Sequence, residues 1–216
     1  MVTTQDNAGL ALDPSKTALL LIHWQNEIAA FEGRNAQDMA QRVRDQGILQ
    51  RTQAVLDASR KRGMLVAYIN GVHAPGYPEL GAKTVPLAAM LIARGSMQKG
   101  TWGVEVIDEL KPIDGEILID NYSPSGFSST PLDVVLRARG ITHLVMSGIA
   151  THVAVESTTR EAFNLGYTVY TLEDCCTSTT QEIHEWSIKN TLSFFGFVTD
   201  AESYMAAIGT PSGKEA

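Results

Sequence analysis

The sequence predicts an α/β chain folded as three αβα layers around a six-stranded, mainly parallel sheet, and three observations lead there. Short, nearly continuous apolar runs alternate with longer amphipathic stretches, the pattern of strands buried on both faces and joined by crossover helices. Glycine stands just beyond several helical patterns, at Arg62-Gly63, Arg139-Gly140 and Leu165-Gly166, where a left-handed C-cap is common, and each leads within a few residues into an apolar run. No internal repeat, low-complexity tract or linker interrupts the 216 residues, so they read as one domain with an ordinary core.

In chain order, residues 1–14 form an N-terminal arm and the domain proper occupies 15–208. The first apolar run gives a strand at 17–22, followed by an amphipathic helix over 36–62 and a second strand at 64–69. The Gly/Pro-containing stretch 71–83 reads as a loop, either functional or a plain surface connection. A third strand is expected at 116–120. Ser129 or Thr130 before Pro131 resembles an N-cap with proline at the first helical position, opening a helix over 131–139. A strand at 143–147, a helix at 153–165, a strand at 167–173, a helix at 181–194 and a strand at 196–199 follow. Residues 201–208 close the domain, and 209–216 form a C-terminal tail.

A net charge of −7 with both signs interspersed provides no basic stripe for phosphates, so neither nucleic acid nor an anionic membrane is an expected partner, and small molecules are. The N-terminus lacks a basic region followed by an apolar one, and no apolar run approaches the ~20 residues of a membrane span. A soluble, cytoplasmic protein is expected. The two cysteines are the adjacent pair Cys175 and Cys176, which cannot staple distant segments and fit a reducing compartment as buried structural thiols. Neither a G-x-G-x-x-G fingerprint nor a G-x-x-x-x-G-K-[ST] loop is present, so no cofactor is implied.

Ligands of open parallel sheets bind beyond the carboxyl ends of the strands. That directs attention to Ile22 through Asn26, Asn70 through Glu79, Asp120 through Thr130 and Gly148 through Glu156. In the last, a strand feeds almost directly into a helix, whose first amides can stabilise an anion or a developing oxyanion.

The segment from Gly148 to Ala162, Gly-Ile-Ala-Thr-His-Val-Ala-Val-Glu-Ser-Thr-Thr-Arg-Glu-Ala, resembles the nucleophile segment of isochorismatase-like cysteine hydrolases, G-x-x-T-x-x-C-V-x-x-T-x-R-x-A, with Ala154 in place of the cysteine. Three further blocks agree in order and spacing. Ala18 to Glu27 resembles the family's first strand, normally ending D-x-Q-N-[DE]; Asn121 to Phe127 resembles K-x-x-x-x-A-F; and Tyr167 to Asp174 resembles the fifth strand with its acidic end. The resemblance implies an isochorismatase-like, Rossmann-like fold, a homodimer or homotetramer, and a site made of an aspartate, a lysine and a cysteine. Those three positions hold His23, Asn121 and Ala154. The family's nicotinamidase-like metal pattern, D-x-H followed by a second histidine, is absent, and no metal is expected.

Alanine has no lone pair, so a covalent acyl-enzyme at Ala154 is excluded. His23, whose ordinary pKa of about 6.5 suits acid or base work, becomes the candidate catalytic group, with Asn121 holding the substrate or the imidazole. The backbone amides around Ala150 and Ala154 are expected to supply an oxyanion site. Trp24, Gln25, Tyr122, Phe127, Ala150, Thr151 and His152 are candidate substrate contacts. So are His73 and Tyr77, in a stretch resembling the family's R-P-G-Y-P-E segment, although a loop histidine such as His73 is more often exposed. Trp102 fits the core or a subunit interface as well as an aromatic pocket, and His184 reads as structural. His152 and Glu156, one turn apart, fit either a ligand contact or a solvated helix face. Three functions stay open: a small-molecule hydrolase or lyase working without a covalent cysteine, an inactive homologue that binds a ligand or partner protein, and a cysteine amidohydrolase whose nucleophile has been replaced by Ala154.

Overall fold

A computed structural model describes residues 12–35 and 37–209. The arm expected at 1–14 and the tail expected at 209–216 therefore lie largely outside the described residues. The strands β1 (Thr17–Ile22), β2 (Leu65–Gly71), β3 (Ile117–Asn121), β4 (His143–Ile149), β5 (Thr168–Thr177) and β6 (Phe197–Thr199) form a sheet in the order β3-β2-β1-β4-β5-β6, and every pair is parallel. The helices are α1 (Asn26–Ala29), α2 (Gln37–Asp45), α3 (Ile48–Lys61), α4 (Pro86–Arg94), α5 (Leu132–Ala138), α6 (Glu156–Asn164), α7 (Gln181–Ser187), α8 (Ser193–Phe195) and α9 (Ala201–Gly209).

Period-two alternation along the buried strands divides the core in two. Leu19 and Leu21 of β1 face a cluster with Leu49, Val55 and Leu56 of α3 and Tyr204 of α9. Ala18, Leu20 and Ile22 face the other layer, with Leu132 and Leu136 of α5 and Ala162 of α6. The three-layer arrangement follows directly from strands that are apolar on both sides. At the centre, Gly148 pairs with Ile22, and a Cβ on it would lie 2.4 Å from the Ile22 carbonyl oxygen. Only glycine lets these two strand ends come so close.

The sequence expectations need correction in several places. The single helix expected over 36–62 is two, because Gly47 adopts a left-handed φ of 65° and the chain turns between α2 and α3. The stretch beyond the 71–83 loop contains α4, bounded by Pro86 at its first turn and by Gly95 at a left-handed C-cap. β5 runs to Thr177, carrying both cysteines into the sheet, and its register against β4 shifts between Met146 and Gly148. The helix expected at 153–165 begins with a π turn, Thr151–Val155, and the one at 181–194 is α7, a second π turn, Ile188–Leu192, and α8. The helix expected to open at Pro131 starts at Leu132 instead: Pro131 is itself the N-cap of α5, and the Thr130 hydroxyl, one residue before the cap, accepts the Leu132 amide at 3.3 Å. Among the described residues, no helix is long and apolar enough to cross a membrane.

Candidate active site

β1 ends at Ile22, and His23 follows at a left-handed φ of 54°, its amide donating to the Ile69 carbonyl at 2.8 Å. This kink lifts the imidazole above the sheet while the residues on either side stay bound to the frame. Trp24 is fully buried, and its indole N–H donates to Ser147 Oγ at 3.2 Å. Gln25 clamps the end of β2: its amide group donates to the Gly71 carbonyl at 2.9 Å and accepts the Gly71 amide at 2.8 Å. Gly71 in turn sits between two side chains, since a Cβ there would lie 2.8 Å from Met97 Sδ and 3.4 Å from His23 Cε1.

Four strand ends border one cavity of about 520 Å³: β1 through His23, β2 through Gly71 and His73, β3 through Asn121, and β4 through Ala150 and Ala154. The rest of its wall is mostly apolar, drawn largely from α4 with Met39 and Met97. Of the residues expected in a site, His23, His73, Asn121, Tyr122, Ala150, His152 and Ala154 line it. Trp24, Gln25, Tyr77, Phe127 and Thr151 are not brought to it, because each is committed elsewhere. Tyr77 Oη lies 2.8 Å from the Ser96 carbonyl, Phe127 stacks on Tyr167 at 5.7 Å in the opposite layer, and Thr151 Oγ1 meets His184 Nδ1 at 2.8 Å. Trp102 is half exposed, and Glu156 holds Arg160 and Ser187 and does not reach toward a ligand.

His23 is buried, and its Nε2 has no partner among the described residues. Burial, reinforced by the neighbouring His73, pushes its pKa down to about 4, so the ring is neutral across the physiological range. His73, expected on an exposed loop, is 3% exposed, because the loop folds back and its amide donates to the Met97 carbonyl at 2.7 Å. Burial lowers its pKa and Glu79, 3.7 Å away, opposes the shift. Burial likewise lowers His152, whose Nδ1 contacts Ser178 Oγ, with Glu156 opposing. Asn121 accepts the Ser123 amide at 2.9 Å through Oδ1, leaving Nδ2 buried and without a partner among the described residues. A neutral imidazole and an amide donor thus line one mostly apolar cavity.

The expected oxyanion site also changes. Val153 and Ala154 both donate their amides to the Ala150 carbonyl at 3.1 Å, so the Ala154 N–H is occupied within the π turn. The amides of Thr151 and His152, which lead that turn, find no acceptor among the described residues. Neither cysteine offers a substitute nucleophile: both are buried, and burial pushes Cys175 far above the usual thiol range and Cys176 up to about 12. Among the described residues, no three His, Cys, Asp or Glu converge as a metal site.

Asn35, α4 with Arg94, and Met97 line the cavity and were not anticipated. For α4 a signal existed, proline and glycine flanking an apolar run. For Asn35 and Arg94, 59 residues apart and bonded at 2.9 Å, there was none.

A model of the isochorismatase domain matches residues 17–203. Among solved structures, the chain is similar in fold to a cysteine hydrolase from Pseudomonas syringae pv. phaseolicola 1448A, with a TM-score of 0.83 and 24% identity over 92% of this chain and 94% of that one. It is also similar to N-carbamoylsarcosine amidase from Thermoplasma acidophilum, with a TM-score of 0.69 and 26% identity over 92% of this chain and 99% of that one. Nicotinamidase from Bacillus subtilis gives a TM-score of 0.68 and 26% identity over 86% and 99%.

Proposed function

The chain belongs to the isochorismatase family of hydrolases, and from that premise we propose that it hydrolyses a small, largely apolar molecule by direct attack of water, with His23 as general base. The observation that carries this reading is the buried Nε2 of His23, without a partner among the described residues, in a residue that lines a mostly apolar cavity. Two neighbours support it: Ala154, which has no lone pair for a covalent route, and Asn121, whose free Nδ2 suits a substrate carbonyl oxygen.

The step balances without any other reagent. Water attacks the electrophilic carbon while His23 takes its proton; the tetrahedral intermediate then expels the leaving group, to which the imidazolium returns that proton. Asn121 Nδ2 and the amide of His152, both from residues that line the cavity, are the donors for the oxygen that gains charge. With its pKa near 4, His23 is fully unprotonated at neutral pH, which favours this base role over protonation of a vinyl ether.

The test is turnover of a panel of small amides, ureas, lactones, esters and vinyl ethers by the protein, by His23→Asn, which keeps the left-handed φ at little cost, and by Ala154→Cys. We expect the protein to turn over an acyl compound without a burst, His23→Asn to lose about a hundredfold or more, and kcat/KM to fall on the acid side near pH 4 rather than 6.5. Turnover by Ala154→Cys alone would instead mark a cysteine hydrolase lacking its nucleophile.

A further inference from the structure

Arg94 carries the sole formal charge among the described residues of the cavity wall, since every other lining group is apolar, amide, hydroxyl or histidine. Its surroundings are unusual for an arginine. Nη1 donates to Asn35 Oδ1 at 2.9 Å and more loosely to the Arg34 carbonyl at 3.4 Å. Arg34 answers in kind, its Nη1 donating to the Arg94 carbonyl at 3.2 Å and to the Gly95 carbonyl more closely still. Each guanidinium is thus anchored to the other residue's backbone. No carboxylate of the described residues stands within ion-pair distance of either. Two cations anchored to neighbouring segments, with no counter-ion among the described residues, leave a local positive potential that an anion relieves.

A second observation is independent of charge. Asn35 also lines the cavity and is only 8% exposed, yet its Nδ2 has no partner among the described residues. A buried amide donor left unpaired costs about 1–3 kcal/mol, a cost that a ligand acceptor removes. The Oδ1 bond to Arg94 fixes which way this donor points relative to the guanidinium. Among the described residues Nη2 and Nε of Arg94 meet no acceptor, so the pair offers several N–H groups to a planar two-oxygen acceptor, the geometry that guanidinium matches best.

We propose that Asn35 and Arg94, with Arg34 behind them, form a carboxylate-binding subsite, so that the ligand of this cavity is an apolar molecule bearing a carboxylate in addition to the group presented to His23 and Asn121. What the carboxylate belongs to rests on the hydrolase reading above; the binding itself does not. The subsite selects anionic over neutral molecules of the same shape.

The probes are 3-phenylpropanoate and 3-phenylpropanamide, equal in size and different in charge, titrated calorimetrically at neutral pH into the full chain and into Arg94→Gln, Arg94→Lys and His23→Asn. The carboxylate should bind about fivefold more tightly than the amide, the upper end for an ion pair partly open to water. Arg94→Gln should erase that ratio and Arg94→Lys retain part of it, while their thermal midpoints match the parent's. His23→Asn should preserve the ratio while losing turnover, so loss of turnover and loss of carboxylate preference are separate readouts. Equal binding, binding of neither probe, or a preference that survives Arg94→Gln overturns the subsite; turnover unaffected in His23→Asn overturns the hydrolase reading and leaves the subsite standing.

Discussion

Two polar regions of this molecule have opposite characters. Beneath the sheet, Arg60 grips Glu116 through Nε at 2.8 Å and Nη2 at 2.9 Å, donates to the Lys111 carbonyl at 2.9 Å and approaches Tyr68 Oη at 3.1 Å. Tyr68 donates to the Leu110 carbonyl, and Glu116 accepts the Ile113 amide. Burial pushes the Glu116 pKa up, but these bonds outweigh it and hold the carboxylate low. At the cavity, by contrast, His23 Nε2, Asn35 Nδ2 and Asn121 Nδ2 are buried without partners among the described residues. A satisfied network ties α3 to β3; an unsatisfied one costs folding free energy and is useful only when something else completes it.

The comparison makes its largest prediction about pH. The folded pKa of His23 lies near 4 and the unfolded one near 6.5, so between those values the unfolded chain binds more protons and stability falls as pH falls. The loss should total about 3 kcal/mol from this residue, level off below pH 4, and be absent above 6.5. Urea denaturation midpoints from pH 8 to 4 should decline more steeply for the parent than for His23→Asn; parallel curves would show that His23 is not held neutral. His73, His143, His152 and His184 are all shifted in the same direction by burial, so the variant keeps part of the slope.

Next in size is the satisfied node. Arg60→Met leaves the Glu116 carboxylate, 8% exposed, without its cation and should cost about 3 kcal/mol by urea denaturation, with ligand affinity at the cavity unchanged. A loss under 1 kcal/mol would mean that the node is as dispensable as a surface pair. The smallest effect belongs to Gly71→Ala. The new methyl would press on Met97 Sδ and His23 Cε1, and because the Met97 end is flexible the stability change should stay below about 1 kcal/mol while kcat/KM falls severalfold. Greater destabilisation with intact turnover would show that the cavity is not set by that contact.

The readable part of the site was its position along the chain. His23, Asn121 and Ala154 follow strand ends whose apolar runs were plain, and ligand sites in such sheets lie beyond those ends. Which neighbouring side chain turns inward was not readable. Trp24 and Gln25 flank His23 in sequence yet face the frame, because the left-handed turn at His23 sends successive side chains in different directions. His73 was misplaced because its burial depends on a loop returning to Met97, a contact between segments that carry no shared pattern.

The sequence by itself determined the α/β architecture, the family, and the absence of a nucleophilic side chain at residue 154, since these depend on periodicity, on local motifs and on the identity of one side chain. Tertiary structure decided the break at Gly47, the neutral state of His23, the occupied amide of Ala154, and the meeting of Asn35 with Arg94. Desolvation and hydrogen-bond closure are properties of what surrounds a group, and its surroundings come mostly from residues far away in the chain.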